Sequence, residues 1–199
     1  MDWRILYNPL AVLGKSNGLI GAIVVIAALA AVCWWGGLHL DGALDMHLTM
    51  LPPSVLLLIA ESLIAWLCLG VLLFGASKVF GGNGGLGAHL AAAGLARFAL
   101  ILAAIVASRQ IMGKAVAPAM TMSRDQIVMH LEVFFKPVLI FGSLAVVALV
   151  AWMIVLLVYG FKESSGLRQG RLAGAFVVGL IVAEVVSKLL LLVVTKAGA

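Results

Sequence analysis

Five stretches of the chain, residues 18–37, 54–79, 88–111, 137–160 and 172–195, are apolar over the roughly 20 residues that a helix needs to cross a hydrocarbon core. In lipid every backbone polar group must be satisfied internally, so uninterrupted runs of this length fold as helices rather than as the short alternating strands of a membrane barrel. Only 11% of the 199 residues are charged and 64% are hydrophobic, with a mean hydropathy of +1.22. Soluble domains carry about 25% charged residues. Too little chain is left over for a separate soluble domain. The expected fold class is an all-α polytopic membrane protein, one five-helix bundle over residues 1–199 with short interfacial amphipathic helices.

The first apolar run begins at Gly18 and ends in AALAAVCWWGG without a small-x-small cleavage pattern, so it is expected to be a retained helix. Cys33 falls near one end of that helix and Cys68 deep in the second. The two thiols are therefore read as separate small core residues rather than a bridge. The net charge of +5 comes from basic residues at helix ends, which is a membrane pattern and excludes a nucleic-acid patch.

Five crossings put the N-terminus and loops 80–87 and 161–171 on one side, and loops 38–53 and 112–136 with the C-terminus on the other. The first side carries Arg4, Lys15, Lys78, Lys162, Arg168 and Arg171; the second carries Arg109, Lys114, Arg124, Lys136 and Lys196. That margin is narrow. Short basic loops on the first side, and the acids Asp41, Asp45, Asp125 and Glu132 on the second, favour an N-terminus in the cytoplasm and a C-terminus outside. Residues 82–87 fit G-x-G-x-x-G, but the pattern joins two membrane helices rather than a strand and a helix, so it is read as a tight turn and no cofactor is expected.

Two segments suit the headgroup zone. In SRDQIVMHLEVFF, residues 123–135, Ser123 and Gln126 form a capping box, and Ile127, Val128, Leu131 and Phe135 share one helical stripe. The N-terminal DWRILYNPLAVLGK mixes Trp3, Ile5, Leu6, Leu10 and Leu13 with charge.

Four ionisable residues fall inside the spans: Glu61, Arg97, Glu184 and Lys188. Each costs about 2.5–3.5 kcal/mol or more at the bilayer centre if left alone, so they are expected to face inward in pairs. At about 1.5 Å per residue, Arg97 and Glu184 lie roughly 14 and 18 Å from the cytoplasmic edge, and Glu61 and Lys188 roughly 10 Å from the other. Level depths pair Glu184 with Arg97 and Lys188 with Glu61, with the fifth helix between the second and third. Such a cluster is either a static clamp fixing helix register or the lining of a hydrated cavity for protons, an ion or a polar headgroup. The small-residue runs AHLAAAGLA and GRLAGAFVVG allow close packing and favour the clamp.

No nucleophile-and-base motif, P-loop, H-E-x-x-H or C-x-x-C is present, so no catalytic residues are assigned. His39, Asp41, Asp45, His47 and His130, with Met46, Met50, Met112, Met120, Met122 and Met129, collect on the second side. Thioether and imidazole groups suit Cu(I), yet methionine serves equally for interfacial packing and no strict ligand spacing is visible, so no metal is assigned.

Residues 152–181, WMIVLLVYGFKESSGLRQGRLAGAFVVGLI, resemble the junction between the last two helices of the Yip1 family. The matching positions are Gly160, Phe161, Lys162, Glu163, Gly166, Leu167, Gly170 and Arg171. KVFGGNGGLGAHLAAAGLARF, residues 78–98, is similar to the family's glycine-rich segment, and WRILYNPLAVL to its N-P lead-in. The resemblance implies five helices with a cytoplasmic N-terminus. Eukaryotic relatives are associated with vesicle traffic and prenylated Rab-type GTPases; the short lead-in here looks like the prokaryotic Yip1-domain proteins.

The expected function is a non-enzymatic membrane scaffold or accessory protein that binds another membrane protein or lipid, in a membrane-organising or trafficking-like role and with self-association compatible. Lys162, Glu163, Gly166, Arg168 and Arg171 would form its cytoplasmic contact loop, unless Gly166 only ends a helix and the arginines only anchor to lipid phosphates. The alternative is a small transporter or channel component using the charge cluster. A lipid-modifying enzyme comes third.

Overall fold

The computed structural model describes residues 3–49, 54–114, 123, 126 and 137–197. His130, the methionines at 50, 120, 122 and 129, and the stripe from Ile127 to Phe135 lie outside the described residues. Ser123 and Gln126 do show the reciprocal bonds of a capping box: Ser123 N–H donates to Gln126 Oε1 at 2.9 Å, and Gln126 N–H to Ser123 Oγ at 3.4 Å.

Five helical spans are long and apolar enough to cross a membrane: Ser16–Gly36, Val55–Val79, Leu86–Gly113, Pro137–Ser165 and Gln169–Val194. The protein is an all-α polytopic bundle. Helix α1 (Pro9–Gly36) starts nine residues before the apolar run does. Pro9 supplies its first turn, the Asn8 side chain caps Ala11 N–H, and the non-helical backbone of Gly14 (φ 75°) splits a short lead-in from the span. Leu10 on that lead-in is buried against Ala91, Ala92 and Leu95, which pins the segment to the bundle. Trp3, Ile5 and Leu6 remain exposed.

Helix α2 (Val55–Val79) is followed by α3 (Leu86–Ala96) and α4 (Phe98–Ala107), which together make the third span. That span is not continuous. At Arg97 the N–H bonds back to Gly94 C=O, a tightened 3-10 step, and ψ falls to −6°. A second break at Ser108 leads into a π-helical turn, Arg109–Gly113. Helices α5 (Pro137–Ser165) and α6 (Gln169–Ala197) follow.

The third span is the centre of the bundle: 61% of its most apolar window is buried, against 11% for α5. Alanines and glycines let its neighbours come close. Gly94 faces Ala22 on α1 and Gly160 on α5 faces Ala92; a Cβ at Gly160 would lie 2.9 Å from that of Ala92. The fifth spanning helix does not sit between the second and third, as depth alone suggested. It packs along the outer side of α2, where Gly179 lies against Leu73 and Ala76, and Gly174 against Phe80. The flanks of the third span are already taken by α1, α2 and α5.

Loop 38–53 contains a β-hairpin rather than irregular chain. Strands β1 (Leu38–Leu40) and β2 (Met46–Leu48) pair antiparallel, with His39 opposite His47. Leu38, Leu40 and Ala43 are fully buried, so the hairpin plugs one end of the bundle. The loop expected over 161–171 shrinks to residues 166–168, because α5 runs on to Ser165 and α6 starts at Gln169. Gly166 (φ 70°) ends α5 in the left-handed region.

Candidate functional site: a hairpin held by intramembrane charges

All four charges inside the spans are organised around the hairpin. Glu61, one turn and a half into α2, is 1% exposed. Its Oε2 accepts the Leu40 N–H at 3.1 Å and its Oε1 lies 2.7 Å from His39 Nδ1. A carboxylate only accepts, so Nδ1 carries the proton. Glu61 thereby holds strand β1 by one backbone and one side-chain bond.

Arg97 is wholly buried at the break between α3 and α4. Its Nη2 donates to the Ala43 carbonyl at 2.8 Å. On the far side of the same peptide unit, Leu44 N–H donates to Glu184 Oε2 at 3.0 Å. One peptide group thus stands between the guanidinium and the carboxylate, its oxygen toward the cation and its N–H toward the anion. Arg97 Nε and Nη1 have no partner among the described residues.

Lys188 does not reach Glu61. It bonds Glu184 Oε1 at 3.1 Å, one turn back on α6, and Asp45 Oδ2 at 3.2 Å on the hairpin. The i,i+4 pair is in the favourable order. The level-depth pairing fails because both residues find hairpin partners at the same height. Glu184 and Arg97 are brought to opposite faces of one peptide, while Glu61 and Lys188 are not brought together at all.

Of the residues considered for a metal, His39 is committed to Glu61, and His47 Nδ1 lies 2.5 Å from Asp41 Oδ2. The two imidazoles stack with centroids 5.7 Å apart. Among the described residues no group of three His, Cys, Asp or Glu is arranged to hold a metal ion. These side chains are hairpin furniture. The sequence carried a signal for it: LHL and MHL, two apolar-His-apolar triplets, flank DGALD, a turn-rich spacer.

At the opposite end, Lys162, Glu163, Gly166, Arg168 and Arg171 are all exposed. The first two stand on the last turns of α5, while Gly166 and Arg168 lie in the connection and Arg171 on the first turn of α6. The glycine loop 81–85 docks beneath them: Asn83 N–H donates to Ser165 C=O at 3.1 Å, and Gly84 passes so close to the Ser164 carbonyl that no side chain fits. His89, which the sequence did not single out, is buried between the rings of Phe74 and Phe161, with Nδ1 2.9 Å from Gly85 C=O. Its Nε2 has no partner among the described residues.

Comparison with curated proteins and with solved structures gave no match. Comparison with protein families matches the Yip1 domain over residues 5–191, nearly the whole chain, and the chain belongs to the Yip1 family.

Proposed function

We propose that this Yip1-family membrane protein is a non-enzymatic scaffold or accessory subunit of the bacterial cytoplasmic membrane, acting as one membrane domain that binds another membrane protein. One observation carries this reading: the intramembrane charges are spent on holding the hairpin. Glu61 grips its first strand, Arg97 and Glu184 grip one peptide of its tip, and Lys188 grips Asp45. Bonds that close on the protein's own backbone give a rigid frame. A conducting path would instead need those groups free to exchange protons or ions with water.

The contact surface is the end formed by Lys162, Glu163, Gly166, Arg168 and Arg171, with the basic flank set in the cytoplasm and the hairpin end outside. Its support is the exposure of all five residues on a base made firm by the Asn83–Ser165 and Gly84–Ser164 contacts. Crosslinking mass spectrometry in native membranes tests it. The expected result is a reproducible membrane-protein partner joined through Lys162, lost in Arg168→Glu with Arg171→Glu. Ion or pH-dependent flux in liposomes, abolished by Glu184→Gln, would replace the scaffold with a transporter.

A further inference from the structure

Lys188 lies six residues, about 9 Å, inside the end of the last span, yet its side chain is 48% exposed and that of its partner Asp45 is 54% exposed. A charge pair at that depth on the outside of a bundle is costly unless something polar meets it. The pair borders a cavity of about 410 Å³ between the hairpin and α6, lined by Leu40, Asp41, Asp45, Lys188, Leu189 and Leu192 among others. Val185, Leu189, Leu192 and Val193 are exposed on the same helix, so this face of α6 looks into the bilayer rather than into water.

We propose that this cavity is a headgroup site for an ethanolamine phospholipid of the leaflet at the hairpin end. The chemistry is complementary in sign and position. Lys188 commits two of its three ammonium protons, to Glu184 and Asp45, leaving one for a phosphate oxygen. Asp41 and Asp45 are acceptors for the three N–H donors of an ethanolamine ammonium, while Val185, Ile181 and Val178, exposed on α6 on the bilayer-centre side of Lys188, face the acyl region. A choline headgroup has the charge but no N–H to donate. A glycerol headgroup offers no cation to the two aspartates and brings a phosphate toward them. The retained order is therefore ethanolamine over choline over glycerol. This site goes beyond the scaffold reading, and its test involves no protein partner, so each can fail alone.

The test is native mass spectrometry of the delipidated full chain given equal amounts of phosphatidylethanolamine, phosphatidylcholine and phosphatidylglycerol with identical acyl chains. Wild type should retain phosphatidylethanolamine about tenfold over phosphatidylglycerol, the scale of one charge-assisted hydrogen bond, and clearly over phosphatidylcholine. Asp41→Ala with Asp45→Ala, which removes the acceptor oxygens, should bring ethanolamine and choline lipids level. Wild-type retention of choline or glycerol lipid equal to ethanolamine lipid would overturn the proposal, and that result does not depend on a variant folding. Displacement of the lipid by an equal concentration of water-soluble phosphoethanolamine would also overturn it, in favour of a soluble zwitterion.

Discussion

At the level of single residues, the peptide between Ala43 and Leu44 decides how the buried charges can be altered. Its carbonyl faces Arg97 and its N–H faces Glu184. A direct ion pair would tolerate exchange of the two charges, but a peptide has a fixed direction. Arg97→Glu combined with Glu184→Arg should therefore recover none of the stability lost by the single changes, measured as the thermal midpoint of the purified protein in detergent; recovery to near wild type would mean that the charges act on each other directly. Gly42 is a second sensitive point, because a Cβ there would lie 2.5 Å from Glu184 Oε1. Gly42→Ala should lower stability by about 1–3 kcal/mol, the usual cost of forcing extra volume into a packed site, and a midpoint equal to wild type would show that the carboxylate moves aside freely. The identities of these four charges were legible in the sequence, since ionisable side chains in long apolar runs stand out. Their partners were not. Depth ranks helical residues against one another, and the true partner of Arg97 is a backbone carbonyl that no side-chain bookkeeping exposes.

Among the elements, the hairpin and the third span depart most from a reading by hydropathy. Five runs of apolar residues marked five spans, because length and hydropathy act over many positions at once. The break at Arg97 depends on one residue's ψ, and three-residue strands fall below what periodicity resolves, although the paired LHL and MHL triplets were there to be read. The hairpin's attachments are unequal, which gives a test. Glu61→Ala removes the acceptor of a buried backbone N–H and should cost about 1–3 kcal/mol. His47→Ala removes a half-exposed partner of Asp41 and should cost about 1 kcal/mol or less. Equal losses in thermal denaturation would mean that the hairpin is not held mainly through its first strand. At the other end, the short connection 166–168 is seated on the glycine loop, so Gly84→Ala should force that loop off the Ser164 carbonyl and lower the thermal midpoint more than Gly85→Ala, whose added Cβ would meet open space.

For the molecule as a whole, the single crossing made by α2 separates the hairpin from the glycine loop and places them at opposite ends of the bundle. Single cysteines at Asp41 and Arg168, in a Cys33→Ala and Cys68→Ala background, should react with a membrane-impermeant maleimide from opposite faces of sealed vesicles; labelling of both from one face would rule out five crossings. The bundle is also uneven in how it is tied together. Its central span is wrapped on several sides, whereas α6 rests on α2 and on the hairpin. The hairpin follows the first crossing, but two of the side chains that grip it arrive 140 and 143 residues later in the chain. During synthesis the plug therefore emerges long before its last fastenings exist, and the end of the bundle that it closes is sealed only when the final helix enters the membrane. Insertion of that helix is the latching step of assembly, and a nascent chain halted before Glu184 should leave a cysteine at Ala43, which is fully buried in the finished protein, open to a maleimide that the finished protein excludes.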